Sequence, residues 1–119
     1  MENTANIRID AILAQQRQFF HEGNTKSVAY RIASLKKLKS ALEKWEKPLA
    51  DALWTDLHKS YEEAYLTEIS LVKGEIRDHI KSVKSWAKKE RRRTPLTIFG
   101  SSSYIVKEPL GTTLIVSPW

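Results

Sequence analysis

The sequence predicts an α+β chain in which about four helices precede two strands or a β-hairpin. Apolar residues recur at steps of three and four as far as Trp86, which is the spacing of one helical face. Thr94-Pro95 ends this pattern, because proline lacks an amide hydrogen and restricts the residue before it. Thr112 to Val116 is rich in β-branched residues and lies between Gly111 and Pro118, which is typical of a strand.

The first helix is predicted from its apolar spacing and from the residues at its two ends. Gly23 can end it, because glycine accepts the left-handed conformation beyond a helix C-terminus. Side chains that can cap its start are those of Asn3, Thr4 and Asn6. Its apolar positions are Ile9, Ile12, Leu13, Phe19 and Phe20.

The second helix is predicted to begin at a cap supplied by Asn24 or Thr25. Pro48 should break it near Glu46 or Lys47 and start a third helix that runs to about Leu57. One apolar stripe is expected along it, made of Val28, Ile32, Leu35, Leu38, Leu42, Trp45 and Leu49.

The fourth and longest helix is predicted to open at Ser60-Tyr61-Glu62-Glu63, which has the pattern of a capping box. Gly74 lies inside it and weakens it by about 1 kcal/mol relative to alanine, for which close approach of another helix would be a reason. The basic run Lys88 to Arg93 is expected to close it, since positive charge suits a helix C-terminus. Its core face is predicted to comprise Ile69, Val72, Ile76, Ile80, Val83, Trp86 and Ala87.

Two strands are predicted after the helices. Ser103 to Lys107 alternates in polarity, and Pro109 and Gly111 suit a turn. Thr112 to Val116 shows no polar alternation, so we expect it to be buried on both faces, with a ligand site beyond its carboxyl end. The chain thus divides into a helical part (1–93), a connector (94–102) and a two-stranded part (103–119).

Composition limits the function classes. Twenty Lys and Arg against 14 Asp and Glu give a net charge of +6, which fits a solvated helical surface or, as an alternative, a basic helical module that binds nucleic acid or a partner helix. There is no cysteine, and the three histidines lack the spacing of metal ligands. No apolar run is long enough for a membrane anchor and no signal peptide is visible, so a cytoplasmic location is expected.

The C-terminal stretch resembles a known family. Glu108-Pro109-Leu110-Gly111, a hydrophobic strand and Ser117-Pro118-Trp119 are similar to the beginning of the coenzyme domain in aldehyde dehydrogenases. The resemblance extends from about Thr25 onward and is to the class-three-like branch that acts on fatty or aromatic aldehydes. The helical positions that match are Arg31, Leu35, Leu38, Ala52-Leu53, Asp56-Leu57-His58-Lys59, Glu63-Ala64, Glu68-Ile69 and Trp86.

The resemblance implies that this chain is the N-terminal piece of an α/β enzyme with a Rossmann-like coenzyme domain. Such an enzyme oxidises an aldehyde to a carboxylic acid with NAD or NADP, using a cysteine nucleophile and a glutamate base that this chain does not carry. No catalytic residue is therefore expected here. Val116, Ser117 and Pro118 would line the coenzyme cleft, and Trp119 would lie near the nicotinamide and the aldehyde substrate.

The resemblance also implies partners. The strand from Tyr104 to Lys107 would belong to the small sheet that holds subunits together, so a homodimer or self-association is expected, without nucleic acid. Two other interpretations stay open at this point. One is the basic binding module described above, and the other is a truncated pseudoenzyme that docks with other dehydrogenase subunits.

Overall fold

The computed structural model describes the backbone of residues 2–116 and the side chains of residues 8–116. The α+β prediction is confirmed: the chain is mostly helical and carries one small antiparallel sheet. It divides into two compact units, a helical unit (residues 31–86) and a flanking unit made of the residues before 31 and after 86. The elements in chain order are α1 (Glu2–His21), α2 (Val28–Leu57), α3 (Tyr61–Ala64), a π-helical segment (Tyr65–Ile69), α4 (Ser70–Trp86), β1 (Glu90–Arg92), a 3-10 turn (Leu96–Ile98) and β2 (Ser103–Ile105).

The ends of α1 and the start of α2 follow simple backbone chemistry. Gly23, with φ +78°, donates its amide to the Phe20 carbonyl at 2.9 Å, so the predicted stop is confirmed. The predicted caps of α1 lie inside the helix, which already begins at Glu2. The predicted caps of α2 are wrong as well. Ser27 caps this helix, because its Oγ accepts the Tyr30 amide at 3.4 Å.

Helix α2 continues through Pro48 for 30 residues, so the predicted break is wrong. A proline inside a helix costs about 3 kcal/mol through a lost hydrogen bond and a steric clash. Contacts on both sides of Pro48 favour the continuous helix. Glu46 binds residues of the next two helices, and Ala50 is buried in a small cluster with Ala64 and Ile69.

The second helical run starts as predicted, because the Ser60 Oγ accepts the Glu63 amide at 3.2 Å. The run includes a π-helical turn, and α2 rather than this run is the longest helix. Ile69, Ile76 and Val83 are buried, which confirms the centre of the predicted core face. A Cβ added at Gly74 would meet nothing within 4 Å, so the expected close helix contact is not found in the part of the chain that the structure describes.

The apolar stripe of α2 is only partly correct. Val28, Ile32, Leu35 and Leu42 are half-buried, as predicted. Leu38, Trp45 and Leu49 are exposed instead, and the covered face continues through Glu46, Ala50 and Leu53. The covered face of a straight helix drifts around its axis, because 3.6 residues per turn do not match a strict seven-residue repeat.

Helical structure ends at Trp86, seven residues before the predicted limit of the helical part. The basic run instead forms β1, which pairs antiparallel with β2 so that Arg91 faces Tyr104. The first strand predicted from Ser103 onward is confirmed over its first three residues. The connector between them contains the 3-10 turn, although the sequence predicted no helical character after Thr94-Pro95. Across residues 2–116, no helix is both long and apolar enough to cross a membrane.

Candidate coenzyme-side segment and its supporting contacts

The predicted site lies at the end of an extended segment that follows β2. Residues 106–116 join no strand ladder within the described chain, so the strand predicted from Thr112 to Val116 is not formed as a paired element. A strand is held by hydrogen bonds to a neighbouring strand, whereas β1 and β2 pair only with each other. The segment is exposed throughout its second half: Leu114 is 88% exposed, Ile115 86% and Val116 81%.

Only Val116 of the four predicted coenzyme-binding residues can be located. Ser117, Pro118 and Trp119 lie outside the described residues. Val116 offers an apolar surface and no hydrogen-bonding side chain, so it fits one wall of a pocket rather than a phosphate or ribose contact. The sequence has no glycine-rich phosphate loop, because its four glycines are isolated. The coenzyme-binding role of these four residues therefore stays a prediction, and Val116 is compatible with the wall of a pocket.

Gly111 fixes how this segment leaves the turn before it. Its φ is +121°, a conformation that residues with a Cβ rarely adopt. A Cβ at this position would also lie 3.6 Å from Cε1 of Phe20 on α1. Glycine therefore allows the backbone to turn where the Phe20 ring packs against it. The sequence identified Gly111 as a turn residue, but its contact with Phe20 links positions 91 apart and could not be read from spacing.

A groove runs between α1 and residues 112–114 of the extended segment. Its volume is about 490 Å³, and apolar side chains dominate its surface. Arg17 supplies the one charged side chain among the residues that border it. No nucleophile or acid–base pair lines the groove, so it can hold an apolar group but performs no chemistry by itself. The bordering residues are Ile9, Ile12, Leu13, Gln16, Arg17, Thr112, Thr113 and Leu114.

The helical unit contains a polar cluster of Glu46, Tyr61, Tyr65 and Lys73, which the sequence analysis did not identify. Glu46 accepts the Tyr61 hydroxyl at 2.7 Å and the Lys73 ammonium at 2.9 Å. The Lys73 Nζ also lies 5.7 Å from the centre of the Tyr65 ring, within the range of a cation–π contact. The signal available in the sequence was spacing. Glu46 lies four residues before the buried Ala50 and four after the half-buried Leu42, so it shares their covered helical face. A charged residue on a covered helical face needs a partner.

The charges in this polar cluster shift one another's titration. The hydrogen bond from Lys73, followed by that from Tyr61, holds the pKa of Glu46 below its usual 4.5. Donation to Glu46 raises the pKa of Tyr61 above 10.0 and the pKa of Lys73 above 10.5. Each shift favours the protonation state present at neutral pH, so the cluster stabilises the helical unit there and is unsuited to acid–base catalysis near pH 7.

The hairpin holds a second, more exposed carboxylate. Glu90 accepts from Lys107 across the sheet and from Arg92 at 2.7 Å, and the Lys107 hydrogen bond is the main cause of its lowered pKa. No three His, Asp or Glu side chains within the described residues are placed to hold a metal ion. The Nδ1 atom of His79 is hydrogen-bonded to the Glu75 carbonyl oxygen at 2.8 Å. The part of the extended segment that the structure describes, residues 106–116, thus brings together no catalytic or metal-binding group.

Comparison with known proteins identifies the fold to which this segment belongs. The family model described as "Aldehyde dehydrogenase family" matches residues 1–119. The chain is similar to 4,4'-diaponeurosporen-aldehyde dehydrogenase of Staphylococcus aureus, with 42% identity over 103 residues, or 87% of this chain and 22% of that protein. It is 39% identical over 108 residues to the chloroplastic aldehyde dehydrogenase family 3 member I1 of Arabidopsis thaliana, covering 91% of this chain and 20% of that one.

Human aldehyde dehydrogenase family 3 member B1 is 36% identical over 107 residues, which are 90% of this chain and 23% of the human protein. A solved structure, "Substrate bound state of Staphylococcus Aureus AldH", matches with a TM-score of 0.81 and 39% identity, over 85% of this chain and 22% of that chain. The chain thus spans about a fifth of the curated relatives that it matches. The chain belongs to the aldehyde dehydrogenase family.

Proposed function

We propose that this chain is part of a class-three-like enzyme that oxidises aldehydes to carboxylic acids with NAD or NADP. The observation that carries the proposal is the family match over residues 1–119, together with the likeness to family 3 proteins. The family is generally NAD(P)-dependent. In such an enzyme the coenzyme supplies the hydride acceptor, and the residues of this chain serve as support.

The extended segment brings one apolar wall to the proposed coenzyme site. Val116 and, after it, Ser117 and Pro118 line the cleft, while Trp119 adjoins the nicotinamide and the substrate. An apolar wall excludes water from the reacting atoms, which strengthens every electrostatic contact inside the site. Gly111 and the Phe20 ring below it set the direction in which this wall is presented. No residue described here takes or gives a proton in the reaction.

The first prediction is that the 119-residue chain alone has no dehydrogenase activity. The sequence contains no cysteine, and the proposed reaction requires a thiolate nucleophile. The purified chain is incubated with NAD or NADP and with hexanal or benzaldehyde, and absorbance at the reduced coenzyme's band is followed. No increase above the rate of a sample without protein is expected. Steady production of reduced coenzyme that scales with chain concentration would contradict the proposal.

The second prediction is that the chain self-associates, as the proposed subunit contacts require. Leu114, Ile115 and Val116 are largely exposed, as are Leu96 and Phe99 on the hairpin loop, at 91% and 95%. Contiguous exposed apolar surface and an unpaired strand favour association between copies. Sedimentation velocity at increasing concentration should show a growing fraction of dimers or larger species. A single compact monomer across the whole concentration range would contradict this prediction.

The alternative basic helical module keeps the net charge of +6 that suggested it, but it has no basic helix in the run from Lys88 to Arg93. The run from Lys88 to Arg93 contains β1 rather than a helix, and Glu90 within it binds two of the neighbouring cations. No observation favours a nucleic-acid partner over the dehydrogenase proposal. The cytoplasmic location stays a prediction from the sequence.

A further inference from the structure

We propose that this chain binds anionic lipid surfaces through the hairpin made of β1, β2 and the loop between them, here called the basic hairpin (residues 88–107). Apolar side chains of the loop enter the interfacial region of the bilayer, and the cations beside them contact acidic headgroups. The proposal is independent of the aldehyde chemistry, because it uses no residue assigned to the coenzyme site.

The loop of the basic hairpin exposes a group of large apolar side chains. Leu96 is 91% exposed, Phe99 95% and Ile98 52%, and all three lie within four consecutive residues. A contiguous exposed apolar patch is typical of a surface that binds another protein or a membrane. An aromatic ring among its members suits the boundary between water and an apolar phase.

Hydrogen bonds hold this loop in a defined shape. Thr94 Oγ1 accepts the Ser103 amide at 3.1 Å and so closes the base of the loop. Within the loop, the Ile98 carbonyl accepts both the Ser101 amide at 3.2 Å and the Ser101 hydroxyl at 2.7 Å. A loop that is shaped before binding loses less conformational entropy when it meets its partner.

The basic hairpin carries an excess of positive charge. Residues 88–107 contain six Lys and Arg against one acid, Glu90. Glu90 binds Arg92 and Lys107, so two of the six cations are paired. The other four form no ion pair with any residue that the structure describes: Lys88, Lys89, Arg91 and Arg93.

The paired and unpaired charges of β1 lie on opposite faces of the strand. Alternate residues of a strand point to opposite faces, so Arg91 points away from Glu90 and Arg92. The cross-strand neighbour of Arg91 is the exposed Tyr104, which shares its face. One face thus holds the ion pair of Glu90 and Arg92, and the other presents unpaired positive charge beside an aromatic ring.

The apolar side chains and the unpaired cations are close enough to act on one surface. Leu96 follows Arg93 by three residues, which places their Cα atoms within about 11 Å even in fully extended chain. This is about the Debye length at roughly 0.1 M salt, so a loop inserted at an acidic bilayer keeps these cations within its field. Each Lys or Arg near such a surface strengthens binding about fivefold.

An acidic bilayer fits this surface better than a second copy or a nucleic acid does. A symmetric contact between two copies places each surface against itself, and so brings the same cations together. Nucleic acid supplies phosphates for the cations but no apolar phase for the leucine and isoleucine of the loop. An acidic bilayer supplies both. Self-association through residues 114–116 would use a separate segment.

The test uses the 119-residue chain and vesicles of phosphatidylcholine with phosphatidylserine in a ratio of about seven to three. Flotation through a density gradient separates bound from free chain. We expect the chain to bind these vesicles, and to bind vesicles of phosphatidylcholine alone more weakly by about tenfold or more. Binding should also be lost at about 1 M salt, where the Debye length is about 3 Å.

The charge variant is Arg91→Gln/Arg93→Gln, which removes two of the unpaired cations. It should weaken binding to the acidic vesicles by about tenfold or more. The matched control Lys36→Gln/Lys37→Gln removes the same charge from two exposed positions of α2. It should retain binding within about twofold.

The apolar variant is Leu96→Gln/Phe99→Gln, which should weaken binding by about tenfold or more because it removes the side chains that enter the bilayer. The matched control Leu66→Gln/Leu71→Gln changes side chains of the helical unit that are 65% and 61% exposed, and should retain binding. Glutamine is a good helix former, so this control keeps its fold. Circular dichroism checks that all four variants are folded.

Each outcome decides the proposal. Binding that both hairpin variants lose and both controls keep supports it. Absence of flotation with acidic vesicles overturns it, as does equal binding to neutral vesicles or an equal loss in the hairpin variants and their controls. Dimers that Leu96→Gln/Phe99→Gln abolishes, without vesicle binding, assign the loop to a second copy and overturn it. A DNA or RNA gel shift that Arg91→Gln/Arg93→Gln abolishes, without vesicle binding, assigns the cations to nucleic acid and also overturns it.

Discussion

The helical unit and the flanking unit use their apolar residues differently. Within residues 8–116, five hydrophobic residues are buried, and all of them belong to the helical unit: Ala50, Ala64, Ile69, Ile76 and Val83. The flanking unit has none among residues 8–30 and 87–116, although it holds most of the strongly exposed apolar side chains. A helix satisfies its backbone within its own segment, whereas a strand needs a neighbour for its hydrogen bonds. The helical unit therefore satisfies its backbone locally, whereas an extended segment such as residues 112–116 needs a neighbouring strand.

The polar contacts show the same contrast. In the helical unit, half-buried Glu46 joins α2 to Tyr61 of α3 and to Lys73 of α4. In the flanking unit, Glu90 of β1 pairs with Arg92 of the same strand and with Lys107, which follows β2. Water competes strongly for exposed ion pairs, so pairs such as those of Glu90 contribute little to stability. The helical unit is therefore held together by contacts among its own helices, whereas the polar contacts of the flanking unit add little to its stability.

The largest expected effect comes from truncating one isoleucine in each unit to alanine. Ile69→Ala removes a buried side chain that packs with Ala50 and Ala64, and should lower the free energy of unfolding by about 3 kcal/mol. The matched Ile115→Ala removes an 86% exposed side chain, and should change it by less than about 0.5 kcal/mol. Urea unfolding followed by circular dichroism measures both. Equal losses would show that Ile115 is buried in solution.

A smaller effect is expected from pH. The pKa of Glu46 is lowered in the folded chain, so its contribution is present above 4.5 and is lost as pH falls through the folded value. The pKa values of Tyr61 and Lys73 are raised, so their contribution is present below 10.0 and is lost as pH rises through the folded values. The free energy of unfolding should therefore have a plateau between these limits and decline on either side.

Glu46→Gln tests this assignment against Glu90→Gln. The first variant should lose part of the acid-side decline and be less stable than the unmodified chain at neutral pH, with the difference shrinking below pH 4.5. Glu90 also has a lowered pKa, yet it lies in the exposed hairpin, so its variant should leave helical unfolding almost unchanged. Urea midpoints measured at a series of pH values give the comparison. Identical profiles for both variants would contradict it.

The smallest predicted effects come from two glycines, one in each unit. Gly74→Ala should raise the free energy of unfolding by about 1 kcal/mol, since alanine favours helix and the added methyl group meets no atom within 4 Å. Gly111→Ala should not stabilise the chain, because a residue with a Cβ is strained at φ +121°. Thermal unfolding measures the two changes. A loss of stability in Gly74→Ala would reveal a neighbour packed against that helix face in solution.

Two misread stretches show where local patterns were insufficient. Pro48 signalled a break, but the contacts of Glu46 and Ala50 on either side hold one continuous helix. The run from Lys88 to Arg93 suited a helix C-terminus, yet pairing of Glu90–Arg92 with Ser103–Ile105 makes part of it a strand. In both cases contacts distant in sequence outweighed intrinsic propensity, which is about 3 kcal/mol against helix for proline and about 1 kcal/mol or less between most other residues.

The sequence alone determined the α+β class, the stop at Gly23, the cap at Ser60, the centre of the core face on α4 and the motifs that mark the aldehyde dehydrogenase family. These features depend on residues within a turn or two of one another, or on residue identity itself. Tertiary structure decided the continuity of α2, the partners of Glu46, the strand pairing of the basic run and the contact of Phe20 with Gly111. Their energies arise between residues far apart in the chain, which meet only after the backbone has folded.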